Sequence, residues 1–183
     1  TNFDCSAFFI KDTTHLVNVM SVLPDYLRTK SHGKVNNYSD WSIQLGRRFR
    51  ALKLWWVIRS FGVDGIREKL RLHMSLARLA EKTIRTWADA EILAPSPLNL
   101  ICFRFRPHEI PESEWNGFNE ELLQKVNATG QLYMSHTKLN GIYSLRMVIG
   151  QTSVTEKHVA SALEILKSVK DELVFAYRKP EKK

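Results

Sequence analysis

Two apolar stripes at helical spacing, separated by a single glycine, constrain this chain more than any other feature. In residues 45–61 (LGRRFRALKLWWVIRSF), Leu45, Phe49, Leu52 and Trp56 recur at intervals of four, three and four, which lines up one face of a helix. Arg47, Arg48, Arg50 and Lys53 fall outside that stripe, whereas LWWVI is apolar nearly all round and predicts a buried C-terminal half. Gly62 stops this helix and Asp64 caps a second. Ile66, Leu70, His73, Ala77, Ala80, Ile84 and Trp87 then keep helical spacing to about Ala88.

Past that point the period shortens. Residues 92–93, 100–105 and 142–149 read as strands. In the middle one Ile101, Phe103 and Phe105 alternate with Cys102, Arg104 and Arg106, which predicts a sheet with one wet face. Trp115, Phe118, Leu122 and Val126 mark a helix ended by Gly130, and residues 132–134 add a further strand. Ser153-Val154-Thr155-Glu156 has the spacing of a capping box, opening a helix through Val159, Leu163, Leu166 and Leu173 to about Tyr177. Upstream of the stripes, residues 5–10 (CSAFFI) read as a buried strand and residues 21–40 as a long loop. Layer rules turn this order into an α/β chain, α+β for the piece in hand, with helices on one face of a small, mostly antiparallel sheet. The domain boundary is expected near Lys53.

Composition closes off other classes. Eight Gly and six Pro in 183 residues argue against low-complexity or collagen-like sequence, and no apolar run reaches the roughly 18 residues of a membrane span. The net charge of +8 permits nucleic-acid binding without requiring it. Two cysteines, Cys5 and Cys102, form no CxxC pair, as expected for a reduced, cytoplasmic protein. No signal peptide is read, and the start at Thr1-Asn2-Phe3 without methionine predicts a piece of a longer polypeptide.

The chemistry candidates each have a plain alternative. The basic cluster Arg47, Arg48, Arg50 and Lys53, with Trp55 and Trp56 beside it, reads as a nucleic-acid surface or as a solvated helix face. At Leu45-Gly46-Arg47 a helix start would offer free N–H groups to a phosphate. The six histidines show no HxH or HExxH spacing, so no metal is expected, and His73 reads as a hydrogen-bonded interior residue. Cys5 reads as a packing residue. Tyr26, in Pro24-Asp25-Tyr26-Leu27, is either a proton donor carried on a closing loop or a loop anchor. Arg146 lies within the apolar strand YSLRMVI and needs an acid, a carbonyl or an anionic ligand if that face is buried.

With these residues in view, the chain resembles the C-terminal part of the pyridoxal-phosphate-dependent group II amino-acid decarboxylases, close to the aromatic-L-amino-acid branch. Asn2-Phe3-Asp4-Cys5-Ser6-Ala7 is similar to the strand that follows the family's cofactor-binding lysine, and Pro24-Asp25-Tyr26-Leu27 to its mobile catalytic loop. Trp41 and the run Leu45-Gly46-Arg47-Arg48-Phe49-Arg50-Ala51-Leu52-Lys53 resemble its most distinctive segment here, and weaker similarity continues through residues 62–65, 100–104 and Leu145-Arg146-Met147. Ser39 stands where aromatic decarboxylases usually carry Lys or Arg, and Gln44 replaces a usual Pro.

The resemblance implies the C-terminal portion of the aspartate aminotransferase type I fold. Residues 1–52 would end the large cofactor domain and 53–183 would form the small domain. It further implies a homodimeric carboxy-lyase that uses pyridoxal 5′-phosphate, with the covalent lysine outside this chain and in the polypeptide's own N-terminal part. An L-amino acid, aromatic because Gly46 leaves room in the pocket, would lose CO2 to give the amine. Tyr26 would donate the proton to Cα, and Gly46 would line the pocket and the cofactor phosphate of the partner subunit. Arg146 is a further substrate contact in this reading, with no nucleic acid and no membrane involved. The competing expectation is a non-catalytic α/β domain that binds a partner or nucleic acid through the basic helix 46–59.

Overall fold

The computed structural model describes residues 4–21, 36, 38–44, 46 and 48–178, and its contacts divide into two compact units, Thr1–Asp64 and Gly65–Lys183. In the first unit, α1 (Thr13–Met20) opens on Asp12, whose carboxylate accepts the Thr14 N–H at 2.9 Å, and closes as the Ser21 N–H bonds the Val17 carbonyl at 2.8 Å. A 3-10 turn follows at Tyr38–Trp41. The strand expected at residues 5–10 is absent: the backbone is irregular there, and Phe8 and Phe9 are 73% and 90% exposed. An apolar run supplies side chains but not a neighbour's N–H and C=O groups, and among the described residues no strand pairs with it.

Helix α2 (Ala51–Arg85) consists of two helices joined at Gly62, whose φ of 66° and ψ of 172° interrupt the spiral in the left-handed region that glycine tolerates. The break matches expectation, but the start does not. The helix begins at Ala51 rather than Leu45, after Gly46, a poor helix former, in a bend and a turn at Arg50. LWWVI is also not buried: Leu54, Trp55, Trp56 and Ile58 are all exposed among the described residues.

The second unit builds a four-stranded antiparallel sheet in the order β1-β2-β4-β3, from β1 (Ala90–Ile92), β2 (Leu100–Phe105), β3 (Ser135–Leu139) and β4 (Ile142–Val148). Ile101, Phe103, Phe105 and Leu145 are fully buried in one core with Ala77, Ala80 and Ile84 of α2. Phe118, Leu122 and Val126 of α3 (Trp115–Ala128) and Leu163 and Leu166 of α4 (Glu156–Arg178) complete it. The expected α+β layering is therefore present. The other sheet face is less wet than alternation predicted, since Cys102 and Ser144 are buried there. On that face Arg104 reaches to the Glu91 carboxylate of β1 at 2.7 Å and Arg146 to Ser135 Oγ of β3 at 3.4 Å.

Helix α3 is fixed to the strands by three asparagines. Asn119, 1% exposed, accepts the Phe105 N–H at 2.8 Å and donates to the Phe105 carbonyl at 2.8 Å, beyond the point where the β2–β4 ladder ends at Phe103 opposite Leu145. Asn116 accepts the Tyr143 N–H at 2.8 Å and donates to the Gly141 carbonyl at 3.1 Å. Asn127 accepts the Met134 N–H at 2.9 Å and donates to its carbonyl at 3.0 Å. That last pair explains why 132–134 is not the strand expected: both backbone groups of Met134 are already engaged, and the strand starts one residue later. β3 turns into β4 through Asn140-Gly141, with φ of 51° and 82°, the positive angles of a two-residue hairpin turn.

The cap of α4 also differs from expectation. Thr155, not Ser153, precedes the helix; its carbonyl takes the Val159 N–H at 3.2 Å, and its own N–H donates to His158 Nδ1 at 3.1 Å. A histidine three residues on thus does the work expected of a capping-box glutamate.

Candidate active-site segment

Residues on either side of Gly46 come together through one carboxylate. Asp4 Oδ2 accepts from Arg50 Nε at 3.0 Å and Oδ1 from Lys53 Nζ at 3.3 Å. The Arg50 hydrogen bond, the Asp4 backbone N–H and Lys53 together hold the Asp4 carboxyl down at about 2, below its ordinary value of 3.8. Two cations of the basic cluster therefore face this acid, which removes them from any simple nucleic-acid stripe. The helix start lies at Ala51, where the Leu52 and Lys53 N–H groups bond the Phe49 and Arg50 carbonyls at 3.1 and 3.2 Å, whereas Leu45 and Arg47 of the expected phosphate-facing start lie outside the described residues. Gly46 itself is exposed, and a Cβ added there would meet nothing within 4 Å.

Tyr26 and its neighbours Pro24, Asp25 and Leu27 lie outside the described residues, as do Leu45 and Arg47. Arg146 stands opposite Cys102 and Ser135 in the sheet register, with Ser135 as its hydrogen-bond partner and no ion pair among the described residues. His73 is buried with Nε2 3.2 Å from the Gln151 carbonyl, as expected of an interior histidine. No group of His, Cys, Asp or Glu suited to a metal ion occurs among the described residues. No described helix is long and apolar enough to cross a membrane.

Sequence reading missed the half-buried ion cluster in the second unit. Lys170 Nζ lies 2.8 Å from Asp89 Oδ2 and 2.6 Å from Asp171 Oδ1, 5.7 Å from the Phe105 ring centroid. Burial disfavours the ammonium, but the hydrogen bonds to Asp171 and Asp89 outweigh it and raise the pKa above the ordinary 10.5. A raised lysine pKa gives stability that is fully present below 10.5 and is lost as pH rises through the folded value. Lys170→Met should therefore lower stability at pH 7 by about 1–2 kcal/mol and flatten the alkaline decline of the urea midpoint. An unchanged alkaline limb would contradict this assignment.

The pyridoxal-dependent decarboxylase conserved domain matches residues 1–106, and tyrosine decarboxylase 3 of Petroselinum crispum is 38% identical over 180 residues, 95% of this chain and 35% of that protein. The chain belongs to the pyridoxal-dependent decarboxylase family. Phenylacetaldehyde synthase of Arabidopsis thaliana is 42% identical over 168 residues, covering 91% of this family member and 34% of the synthase. The crystal structure of Oryza sativa TDC with PLP and tryptamine superposes with a TM-score of 0.82 at 33% identity, over 90% of this chain and 35% of that one. The chain thus spans about a third of the length of the curated relatives it matches. Its fold is that of the corresponding portion of these pyridoxal-dependent enzymes.

Proposed function

We propose that this chain is the C-terminal part of a pyridoxal-phosphate-dependent carboxy-lyase that converts an aromatic L-amino acid to its amine and CO2, working as a cytoplasmic homodimer. The observation that carries the reading is the 38% identity over 95% of this chain to about a third of a tyrosine decarboxylase. Residues 1–52 end the large cofactor-binding domain and 53–183 form the small one, although the contacts of this chain by itself divide at Gly65. That a Cβ at Gly46 would meet nothing within 4 Å in this chain supports the reading of Gly46 as a residue that leaves room for a bulky substrate.

When bound, pyridoxal phosphate supplies the electron sink that lets the carboxylate leave. The protein's share is positioning and proton control. Tyr26 delivers a proton to the substrate Cα as its loop closes and shuts water out. Gly46 would line the pocket wall beside the aromatic side chain and would contribute to holding the cofactor phosphate of the partner subunit. Arg146, without a carboxylate among the described residues, serves as a further anion contact for substrate.

The test is amine and CO2 release by the complete enzyme from L-tyrosine, L-tryptophan and L-glutamate. Turnover of the aromatic pair is the expected result, and turnover of glutamate alone would overturn the aromatic assignment. Borohydride reduction and peptide mapping should label no lysine from Lys11 to Lys183, and a pyridoxyl group on any of them would refute the assignment of the covalent lysine to the N-terminal part. Duplex DNA should bind no tighter than the roughly 10⁻⁴ to 10⁻⁶ M of non-specific contacts at physiological salt, and nanomolar sequence-specific binding would favour a nucleic-acid domain instead.

A further inference from the structure

We infer that Asp4 is a positioning residue: its two carboxylate oxygens tie the segment that begins the chain to Arg50 and Lys53, and thereby set where the Gly46 segment stands relative to the cofactor-bearing stretch. The inference rests on the function proposed above. It starts from a geometric fact, that Oδ2 takes Arg50 Nε at 3.0 Å and Oδ1 takes Lys53 Nζ at 3.3 Å across sequence separations of 46 and 49 residues. Arg50 immediately precedes α2 and Lys53, three residues on, lies in its first turn, so one carboxylate fixes both the place and the rotation of that helix start.

All three side chains are about one-third exposed. Pairs so open to solvent add little to folding stability, so stability alone gives no reason for two cations to converge on one acid here. The carboxyl, held at about 2, stays ionised throughout the neutral range, so the tie does not loosen with ordinary pH changes. Gly46 lies four residues before Arg50, and Asp4 lies three residues into the segment that, by resemblance, follows the cofactor lysine. By that resemblance, the ion cluster ties together the two segments that would flank the pocket. A shift of about 1 Å in a positioning element can cost about 100-fold in rate.

The experiment uses the complete holoenzyme with Asp4→Asn, Arg50→Ala, the double variant and the swapped pair Asp4→Arg with Arg50→Asp. Three readouts are taken: visible circular dichroism of the bound cofactor, kcat/KM for the best aromatic substrate, and thermal midpoint. Asp4→Asn should alter the dichroic band and lower kcat/KM by about 10- to 100-fold, with the double variant no worse than the poorer single and the swap recovering part of the loss. Asp4→Glu, which keeps the charge, should retain more activity than Asp4→Asn. A lowered midpoint with band and kcat/KM unchanged would make Asp4 merely structural and overturn the inference alone. Additive losses in the double variant would do the same. A wild-type enzyme that shows no cofactor band would instead overturn the proposed function, and the inference with it.

Discussion

Tyr26→Phe in the complete enzyme is expected to slow amine formation by about 10²- to 10⁴-fold, the usual worth of a positioned general acid. The substitution removes only the phenolic O–H and keeps the ring that would anchor the loop, so it separates chemistry from packing. Loss of one exposed loop hydrogen bond would cost about 1 kcal/mol, against about 3–5 kcal/mol for the proton donor. With protonation of Cα slowed, the electron-rich carbon is left open to dioxygen, and product should shift toward aldehyde with ammonia and hydrogen peroxide. The similarity to phenylacetaldehyde synthase, 42% identical, means that overall resemblance does not separate the two outcomes, so the loop residue has to. Single-turnover amine release with aldehyde and peroxide analysis decides it. A rate within about fivefold of wild type, with amine as sole product, returns Tyr26 to the role of loop anchor.

The second large effect is expected at Asn119. Leucine has the same number of side-chain heavy atoms as asparagine, branched at the same carbon, and a larger volume, so Asn119→Leu opens no cavity; it removes both hydrogen bonds to Phe105 and the one to the Trp115 carbonyl at 2.7 Å. Because the site is buried, the Phe105 N–H and C=O have no water to turn to on that side. Each unsatisfied buried group costs about 1–3 kcal/mol, so the loss should be about 3 kcal/mol in a denaturant titration of the chain. A loss below about 1 kcal/mol would mean that β2 and β4 close on one another once the asparagine is gone.

In the second unit the helical stripes and the strand alternation were legible because they follow from side chains facing one core: Ile101, Phe103 and Phe105, or Phe118, Leu122 and Val126, share a side by period alone, whereas Phe49, Leu52 and Trp56 keep the same spacing and are exposed. What escaped was set by backbone groups and their partners. Residues 5–10 are as apolar as a buried strand but have no paired neighbour among the described residues, and 132–134 lost its place in the sheet to Asn127. β3 was missed although Asn140-Gly141, a dipeptide suited to positive φ at both positions, stands in the sequence. Helix α1 was missed because its signal is one capping acid, Asp12, before a short polar-apolar mixture. In the candidate site, the family motifs around Asp4 and Gly46 were readable one by one. Their meeting through Arg50 and Lys53 was not, since contacts across 46 and 49 residues leave no local pattern.

The outer position of β3 bears on self-association. It pairs with β4 on one side and with no strand on the other among the described residues, leaving a row of N–H and C=O groups able to template a second chain. Register sets His136 opposite Leu145 and Lys138 opposite Tyr143, so both polar residues stand on the apolar side of the strand, and both are exposed. His136 lies flat on Tyr143 with ring centroids 4.8 Å apart, and Lys138 projects its ammonium where an added strand would have to bury its own side chains. Antiparallel pairing of two such edges would set a second Lys138 or a His136 across from the first. The edge that completes the sheet thus carries its own deterrent to fibrous growth.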